Sequence, residues 1–364
     1  MNPVQQLHAA GQSLWLDQIT RGMVTDGTLR RYIDELAVTG LTSNPTIFQK
    51  AIGDTDFYDA AIRSKSGEGR SGEALFFELA LEDLTQAADL FLPAHRRSNG
   101  VDGWVSLEVS PLLADDAQAT IEAARTLHAQ AARPNLFIKI PGTEAGLKAI
   151  EESVYHGVPI NVTLLFSREQ YAAAADAYMR AIERRLTDGR DPKVASVASL
   201  FVSRWDVAVK ERVAPKLQNR LGVAIAQRTY LAYRQLLASP RWRRLAEAGA
   251  LPQRLLWAST GTKDPAAPDT FYIEALAAPD TINTMPEKTL LAFADHGQVH
   301  DMMHADATAA GEWESMLDKF ERSGINDDAL AQQLQRDGAD AFSKSWQQLL
   351  AEIAAKGERL KARA

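Results

Sequence analysis

The chain contains no cysteine. Disulfides, thiolate nucleophiles and cysteine-based metal sites are therefore excluded, and the composition suits a reducing compartment. Long apolar runs are also missing. No stretch approaches the roughly 18 apolar residues that a spanning helix requires, and the N-terminus lacks a basic region followed by an apolar run. Nor is there an excess of positive charge: 40 Lys+Arg stand against 47 Asp+Glu, a net charge of −7, which argues against a general nucleic-acid or anionic-membrane surface. The local clusters Arg96-Arg97 and Arg241 to Arg244 read as solvated helix faces, and Phe76-Phe77 and Trp242 as core. The expectation is a soluble cytoplasmic protein with neither nucleic acid nor membrane as partner; monomer and homodimer stay equally open.

What is present is a large core and a strong alternation. With 364 residues and 46% hydrophobic content, the chain can bury one large domain or two ordinary ones. Short β-rich runs occur at Leu14 to Ile19, Ala37 to Leu41, Trp104 to Val109, Asn135 to Ile140, Pro159 to Phe166, Val194 to Val202, Leu255 to Ser259 and Thr281 to Asn283. Most precede a helical signature, as at Asp115 to Ala132, Ser167 to Leu186 with Ser167 as its cap, and Pro265 to Ala277. Strands alternating with helices imply parallel strands and crossover helices, and eight such units predict an α/β fold of the closed (β/α)8 TIM-barrel type. Neither an internal repeat nor a low-complexity linker divides the chain. Residues 1–364 are therefore expected to form a single domain. Its additional helices lie between strands 2 and 3, from about Thr55 to Ala94, and in a C-terminal extension over 305–364 that packs on the barrel.

Strand parity points to the chemistry, because alternate side chains of a barrel strand face its interior. In the third strand Val105, Leu107 and Val109 share one face, and Ser106, Glu108 and Ser110 the other. The fourth places Leu136, Ile138 and Ile140 outward and Phe137, Lys139 and Pro141 inward; the fifth places Val162 and Leu164 outward and Asn161 and Thr163 inward. A polar interior beneath an apolar exterior is costly for a core and expected of a site. Lys139 is the centre of this pattern. A lysine at a strand edge keeps its head in water, whereas a buried, unpaired ammonium sheds its proton and becomes a nucleophile toward carbonyls.

Other segments put polar groups at predicted C-terminal strand ends: Asp17 after Leu14-Trp15-Leu16, the Thr42-Ser43-Asn44-Pro45 run, and Ser199-Leu200-Phe201-Val202-Ser203-Arg204. Together with Ser106-Leu107-Glu108-Val109, Phe137-Ile138-Lys139-Ile140-Pro141 and Asn161-Val162-Thr163-Leu164-Leu165-Phe166-Ser167, this set resembles the transaldolases, over most of the chain. The resemblance implies that Lys139 forms a Schiff base with sedoheptulose 7-phosphate or fructose 6-phosphate in the non-oxidative pentose phosphate pathway. It further implies that a dihydroxyacetone unit passes to glyceraldehyde 3-phosphate or erythrose 4-phosphate. The protonated imine is the electron sink, so no cofactor is called for. By the same resemblance Asp17 is the general base on the donor's C4 hydroxyl, Glu108 and Thr163 activate water, and Thr42, Asn44, Asn161 and Ser199 hold sugar hydroxyls. A direct ion pair between Glu108 and Lys139 would favour the ammonium, so a bridging water is expected between them.

Arg204 offers a bidentate fork for phosphate. Ser259-Thr260-Gly261-Thr262-Lys263, expected to lead into a helix after Pro265, offers a second anion site. The familiar family pattern has an arginine two residues after the serine; here Gly261 stands in that place, and Lys263 is expected to supply the charge. His296, His300 and His304 would share one face of a helix, with Asp295 and Asp301 beside them, but Gly297 weakens such a helix and no metal is expected. Two other functions fit parts of the set. A fructose-6-phosphate aldolase would use the same barrel and lysine, but such relatives carry glutamine in place of Glu108 and tyrosine in place of Phe201. A non-catalytic sugar-phosphate-binding barrel would need Arg204 and Lys263, but not Lys139, Asp17 and Glu108 together.

Overall fold

The computed structural model describes residues 1–300 and 302–362, with backbone only at 307 and 308. Its centre is a closed barrel of parallel strands in sequence order: β1 Ser13–Leu16, β2 Val38–Leu41, β3 Trp104–Glu108, β4 Leu136–Pro141, β5 Ile160–Leu165, β6 Ser196–Phe201, β7 Gln253–Ala258 and β8 Ile282–Met285. Closure comes from β8, which pairs with both β1 and β7. Ser13 to Leu16 align with Ile282 to Met285, so the weakly written last strand runs on to Met285. Conversely, the first strand ends at Leu16, because the chain turns away at Asp17 after one last ladder bond from its N–H to the Met285 carbonyl (2.8 Å).

Two apolar clusters follow from strand parity. The outer one joins Leu14, Leu16, Val105, Leu107, Ile138, Ile140, Val162 and Leu200 to the surrounding helices. The inner one contains Trp15, Trp104, Phe137, Val197, Leu256 and Ile282, which fill the lower barrel. Gly40 makes room for this filling: a Cβ there would lie 2.6 Å from the Trp15 indole and 2.7 Å from the Trp104 carbonyl.

Parity fails at one expected position. Leu164 was assigned outward, yet it belongs to the inner cluster and Leu165 takes the outer place. The β5–β6 register shifts between Val162 and Leu165, and Leu164 has a φ of 58°. A β-bulge there inserts a residue and lets Thr163 and Leu164 both serve the interior side. A left-handed conformation for a bulky non-glycine residue costs about 1–3 kcal/mol, and such strain concentrates at functional sites.

Several crossover helices begin on side-chain caps. Asp116 caps Ala117–Ala131 through the Ala119 N–H, and Ser167 caps Arg168–Thr187 through the Gln170 N–H. Between β2 and β3 the helical surplus divides into Asp59–Gly67 and Gly72–Arg97, with Gly69 left-handed at the break. The expected helix over Pro265 to Ala277 is cut to Phe271–Ala275. Asp264 closes a turn instead, its Oδ1 accepting from Ala266 N and its carbonyl from Ala267 N, and Pro268 disfavours helical geometry at Ala267. The tail forms Ala307–Arg322 and the long helix Asp327–Lys361. The long helix lies against helices Pro45–Gly53 and Asp59–Gly67 and reaches β5. Among the described residues no helix is long and apolar enough to cross a membrane.

Candidate active site

The ladder register assembles the site. Glu108 is aligned with Lys139, Lys139 with Asn161, and Pro141 with Thr163, so residues far apart in sequence become neighbours on the inner wall. At the C-terminal end of the barrel, Asp17, Thr42, Asn44, Lys139, Thr163, Ser199, Phe201, Arg204, Ser259 and Lys263 line one cavity of about 110 Å³. Glu108 and Asn161 stand outside that lining. Glu108 opens onto a small adjoining cavity of about 10 Å³ bounded by Leu164 and Phe342. Asn161 is fully buried below, accepting from the Ser199 hydroxyl (2.7 Å) and donating to Ser106 Oγ (3.2 Å).

Lys139 is only 5% exposed. Its Nζ donates to the Ser43 carbonyl (2.9 Å) and stands 3.5 Å from Glu108 Oε2. The latter separation exceeds the roughly 2.7–2.9 Å of a charge-assisted bond. Glu108 Oε2 and Thr163 Oγ1 are both buried, with no hydrogen-bond partner among the described residues. Buried polar atoms are normally paired, so these two open ones, one 3.5 Å from the amine and the other on the cavity that Lys139 lines, mark where a water or substrate hydroxyl fits. Burial pushes the Glu108 carboxyl above its ordinary pKa; the Lys139 charge opposes this and the Asp17 carboxylate adds to it.

Asp17 Oδ1 accepts from the Thr42 hydroxyl (2.8 Å), and Thr42 Oγ1 lies 2.9 Å from Thr284 Oγ1. The single Thr42 proton goes to Asp17, so Thr284 donates to Thr42. Asn44 caps helix Pro45–Gly53 with Oδ1, accepting from Ile47 N (3.1 Å). Its Nδ2 makes no hydrogen bond among the described residues.

Arg204 opens helix Ser203–Val209 and lies against two rings, 5.1 Å from the Phe201 centroid and 5.9 Å from that of Phe342. Burial lowers its pKa, weakly opposed by Asp337. No carboxylate among the described residues lies within ion-pair distance of it, whereas Arg180, Arg184, Arg228 and Arg241 are all paired. A half-buried guanidinium without a counter-ion is prepared to bind an anion. Lys263 is exposed at the rim. Ser259 is left-handed (φ 57°), its hydroxyl 2.9 Å from that of Ser203. The Asp264 turn replaces the expected helix, so no helix begins after Pro265 to serve this loop as an anion site, and Lys263 is the cation of the loop.

A family model described as Transaldolase/Fructose-6-phosphate aldolase matches residues 14–353. A protein of Thermobifida fusca named Transaldolase is 44% identical over 364 residues, covering 97% of this chain and 98% of the relative. Similar proteins of that name occur in Renibacterium salmoninarum, 43% identical with 95% and 94% of the two chains covered, and in Parafrankia, 45% identical with 96% of each covered.

The chain belongs to the transaldolase family. It is an enzyme that transfers an aldehyde or ketone residue. Within this transaldolase fold the cavity also includes residues that the sequence did not point out. Thr284 lies one residue past the Thr281 to Asn283 run read from the sequence, inside the observed strand, and parity carried one strand further would have found it. Phe342 comes from the distant C-terminal helix, and nothing local marks it. The Ser43 carbonyl that holds Lys139 belongs to a quoted segment, but it acts through its backbone.

The three histidines do not share one helix face. Helix Glu287–His296 stops at Gly297, whose extended ψ of 157° sends His300 and His304 away from the helix axis. His296 bonds Asp269 and Asp295, His300 lies 3.9 Å from Glu274, and the His304 carbonyl accepts from Gln227. Asp301 lies outside the described residues. No metal-capable group of His, Asp and Glu occurs among the described residues. A larger cavity, about 520 Å³, opens at the opposite end of the barrel between Trp104, Phe137, Val197 and Trp242. Its Arg254 is already paired with Asp102 at 3.4 Å, and its lining contains no lysine.

Proposed function

We propose that this chain moves a dihydroxyacetone unit from a ketose phosphate, sedoheptulose 7-phosphate or fructose 6-phosphate, to glyceraldehyde 3-phosphate or erythrose 4-phosphate. The transfer runs through a Schiff base on Lys139. The single observation that carries this reading is Lys139 Nζ, buried beside Glu108 in a cavity that also presents an un-neutralised Arg204. An amine and a phosphate cation in one cavity are what a phosphorylated ketose requires.

In this scheme the amine attacks the ketose C2 carbonyl. The carbinolamine oxygen leaves as water, with its proton supplied by Glu108, whose raised pKa lets it act as an acid at higher pH than an ordinary carboxyl. A Glu108 that carries its proton also exerts no attraction on an ammonium beside it. Asp17, oriented by Thr42, takes the C4 hydroxyl proton. The C3–C4 bond breaks, its electron pair enters the protonated imine, and an aldose leaves while the three-carbon enamine stays bound. Addition to the acceptor aldehyde reverses these steps, with Asp17 returning the proton, and water then frees Lys139. The chemistry needs no cofactor, because the iminium takes up the electrons. Ser199 and Asn44 hold sugar hydroxyls, Asn161 supports Ser199, Arg204 takes the phosphate, and Lys263 attracts it at the rim together with Ser259. The cysteine-free, acidic composition fits a cytoplasmic setting.

Borohydride reduction with fructose 6-phosphate, followed by peptide mapping, is expected to place a three-carbon adduct on Lys139. An adduct elsewhere, or none, rejects the scheme. The second reading, a fructose-6-phosphate aldolase, is opposed by the ring at Phe201, which has no hydroxyl to protonate the enamine. Dihydroxyacetone release without acceptor, at a rate comparable to transfer, would favour it.

A further inference from the structure

Three residues on one stripe of the C-terminal helix, Gln335, Gly338 and Phe342, meet the end of the barrel that holds the site. Gln335 Nε2 donates to two carbonyls, those of Gly142 and Leu164, at 3.0 Å each. Gly142 follows the last residue of β4, the strand of Lys139, and Leu164 directly follows Thr163 in β5. Gly142 N also donates to the Thr163 carbonyl (2.8 Å), so the two strand ends are joined to each other and then bridged by one side-chain amide. Both Nε2 hydrogens are used. Turning the amide over would set its oxygen against two carbonyl oxygens, so the partners fix the orientation.

The receiving backbone is the unusual one. Leu164 is the left-handed residue of the β5 bulge, and such a conformation persists only where the surroundings over-determine it. Gln335 bonds its carbonyl directly. Gly338 lets the helix come this close, because a Cβ there would stand 2.9 Å from Leu164 Cδ2 and 3.2 Å from Arg204 Nη1. Phe342 then completes the cavity wall.

We propose that Gln335 is a positioning residue for the imine steps. Resting on the Schiff-base reading above, it clamps the ends of β4 and β5 so that the Thr163 hydroxyl keeps its place beside the Lys139 amine. The helix therefore acts on the chemistry through two backbone carbonyls, while Gln335 touches no reacting atom.

The test uses the full chain. Gln335→Met keeps the length and apolar stem of the side chain and removes both donors; Gln335→Lys returns N–H donors at a similar reach. Measured are kcat, KM, inhibition by inorganic phosphate, and the single-turnover rate of the borohydride-trapped adduct with fructose 6-phosphate. The expected result for Q335M is a fall of about tenfold or more in kcat and trapping rate, with KM and phosphate inhibition within about twofold of the parent, and substantial restoration by Q335K. A parental trapping rate in Q335M, or equal losses in phosphate affinity and kcat, overturns the proposal. Should Q335M fail to fold, Q335K decides: native melting with restored trapping supports the clamp, and native melting without it overturns the clamp. Failure of the parent chain itself to form an adduct rejects the Schiff-base reading instead.

Discussion

In the proposed scheme, the placing of Glu108 beside Lys139 governs how the amine is used. Their side chains project from neighbouring strands in direct register and end 3.5 Å apart, with Glu108 raised in pKa by burial. The raised carboxyl should set the acid–base limb of the kcat profile above the ordinary carboxylate range. Glu108→Gln keeps the shape and removes the proton donor. It is expected to slow imine formation by about 10²-fold, within the usual span of general acid–base effects, and to abolish that limb; stopped-flow trapping across pH reads both. Asp206 offers a separate titration. It accepts from Leu221 N and Gly222 N and from the Tyr272 hydroxyl (2.7 Å), and burial raises its pKa to about 6. The folded state thus holds this proton more tightly than the unfolded state. Its contribution to stability is full below about pH 4 and is lost as pH rises through about 6. Measured against Asp206→Asn, the Tm of the parent should fall by several degrees between those limits; a difference independent of pH would contradict this.

Among the elements, the C-terminal helix contributes to the cavity from furthest along the chain, through Phe342. Its buried stripe includes Leu334, Gly338, Phe342, Trp346, Leu349 and Ile353. Trp346 packs edge-on against Phe76, with centroids 4.8 Å apart, and donates to Glu73 Oε1 (2.7 Å). At Gly338 the helix and the Arg204 guanidinium nearly touch. Gly338→Ala gains up to about 1 kcal/mol of helix propensity, but its Cβ presses on Leu164 and Arg204. KM for fructose 6-phosphate should therefore rise about 3- to 10-fold, with little change for unphosphorylated fructose, in steady-state kinetics. The far end of the helix is fastened by Lys356, a buried ammonium bonded to the Ile52 and Thr55 carbonyls and paired with Asp59 at 2.8 Å. Lys356→Met leaves these oxygens unpaired and should cost about 2–4 kcal/mol. Denaturant titration checks the loss, and activity per folded molecule should change less than stability.

At the level of the whole molecule, much was legible in advance because a barrel strand encodes its two faces locally. The alternation Leu136, Phe137, Ile138, Lys139, Ile140 assigns Lys139 inward wherever that strand lies, and Ser106, Glu108, Asn161 and Thr163 follow by the same rule. Ser167 likewise marks its helix start by side-chain capping. Other features depended on contacts distant in sequence. Leu164 breaks parity because a bulge trades backbone strain for placing two consecutive residues at the site, and no local pattern announces that exchange. Phe342, Gly338 and Gln335 read as ordinary positions of an amphipathic helix until its docking brings them to Leu164 and Arg204. The Pro265 to Ala277 segment looked helical by composition, but the Asp264 turn and Pro268 cut it short. The sequence by itself determined the barrel, the inward lysine and its polar neighbours, since hydrophobic period and side-chain alternation are local properties. Only the tertiary structure decided that Arg204 has no carboxylate within ion-pair distance among the described residues, that Thr284 orients Thr42, and that the last helix reaches the ends of β4 and β5. Pairing, exclusion of water and close backbone approach exist only once residues distant in sequence share the same space.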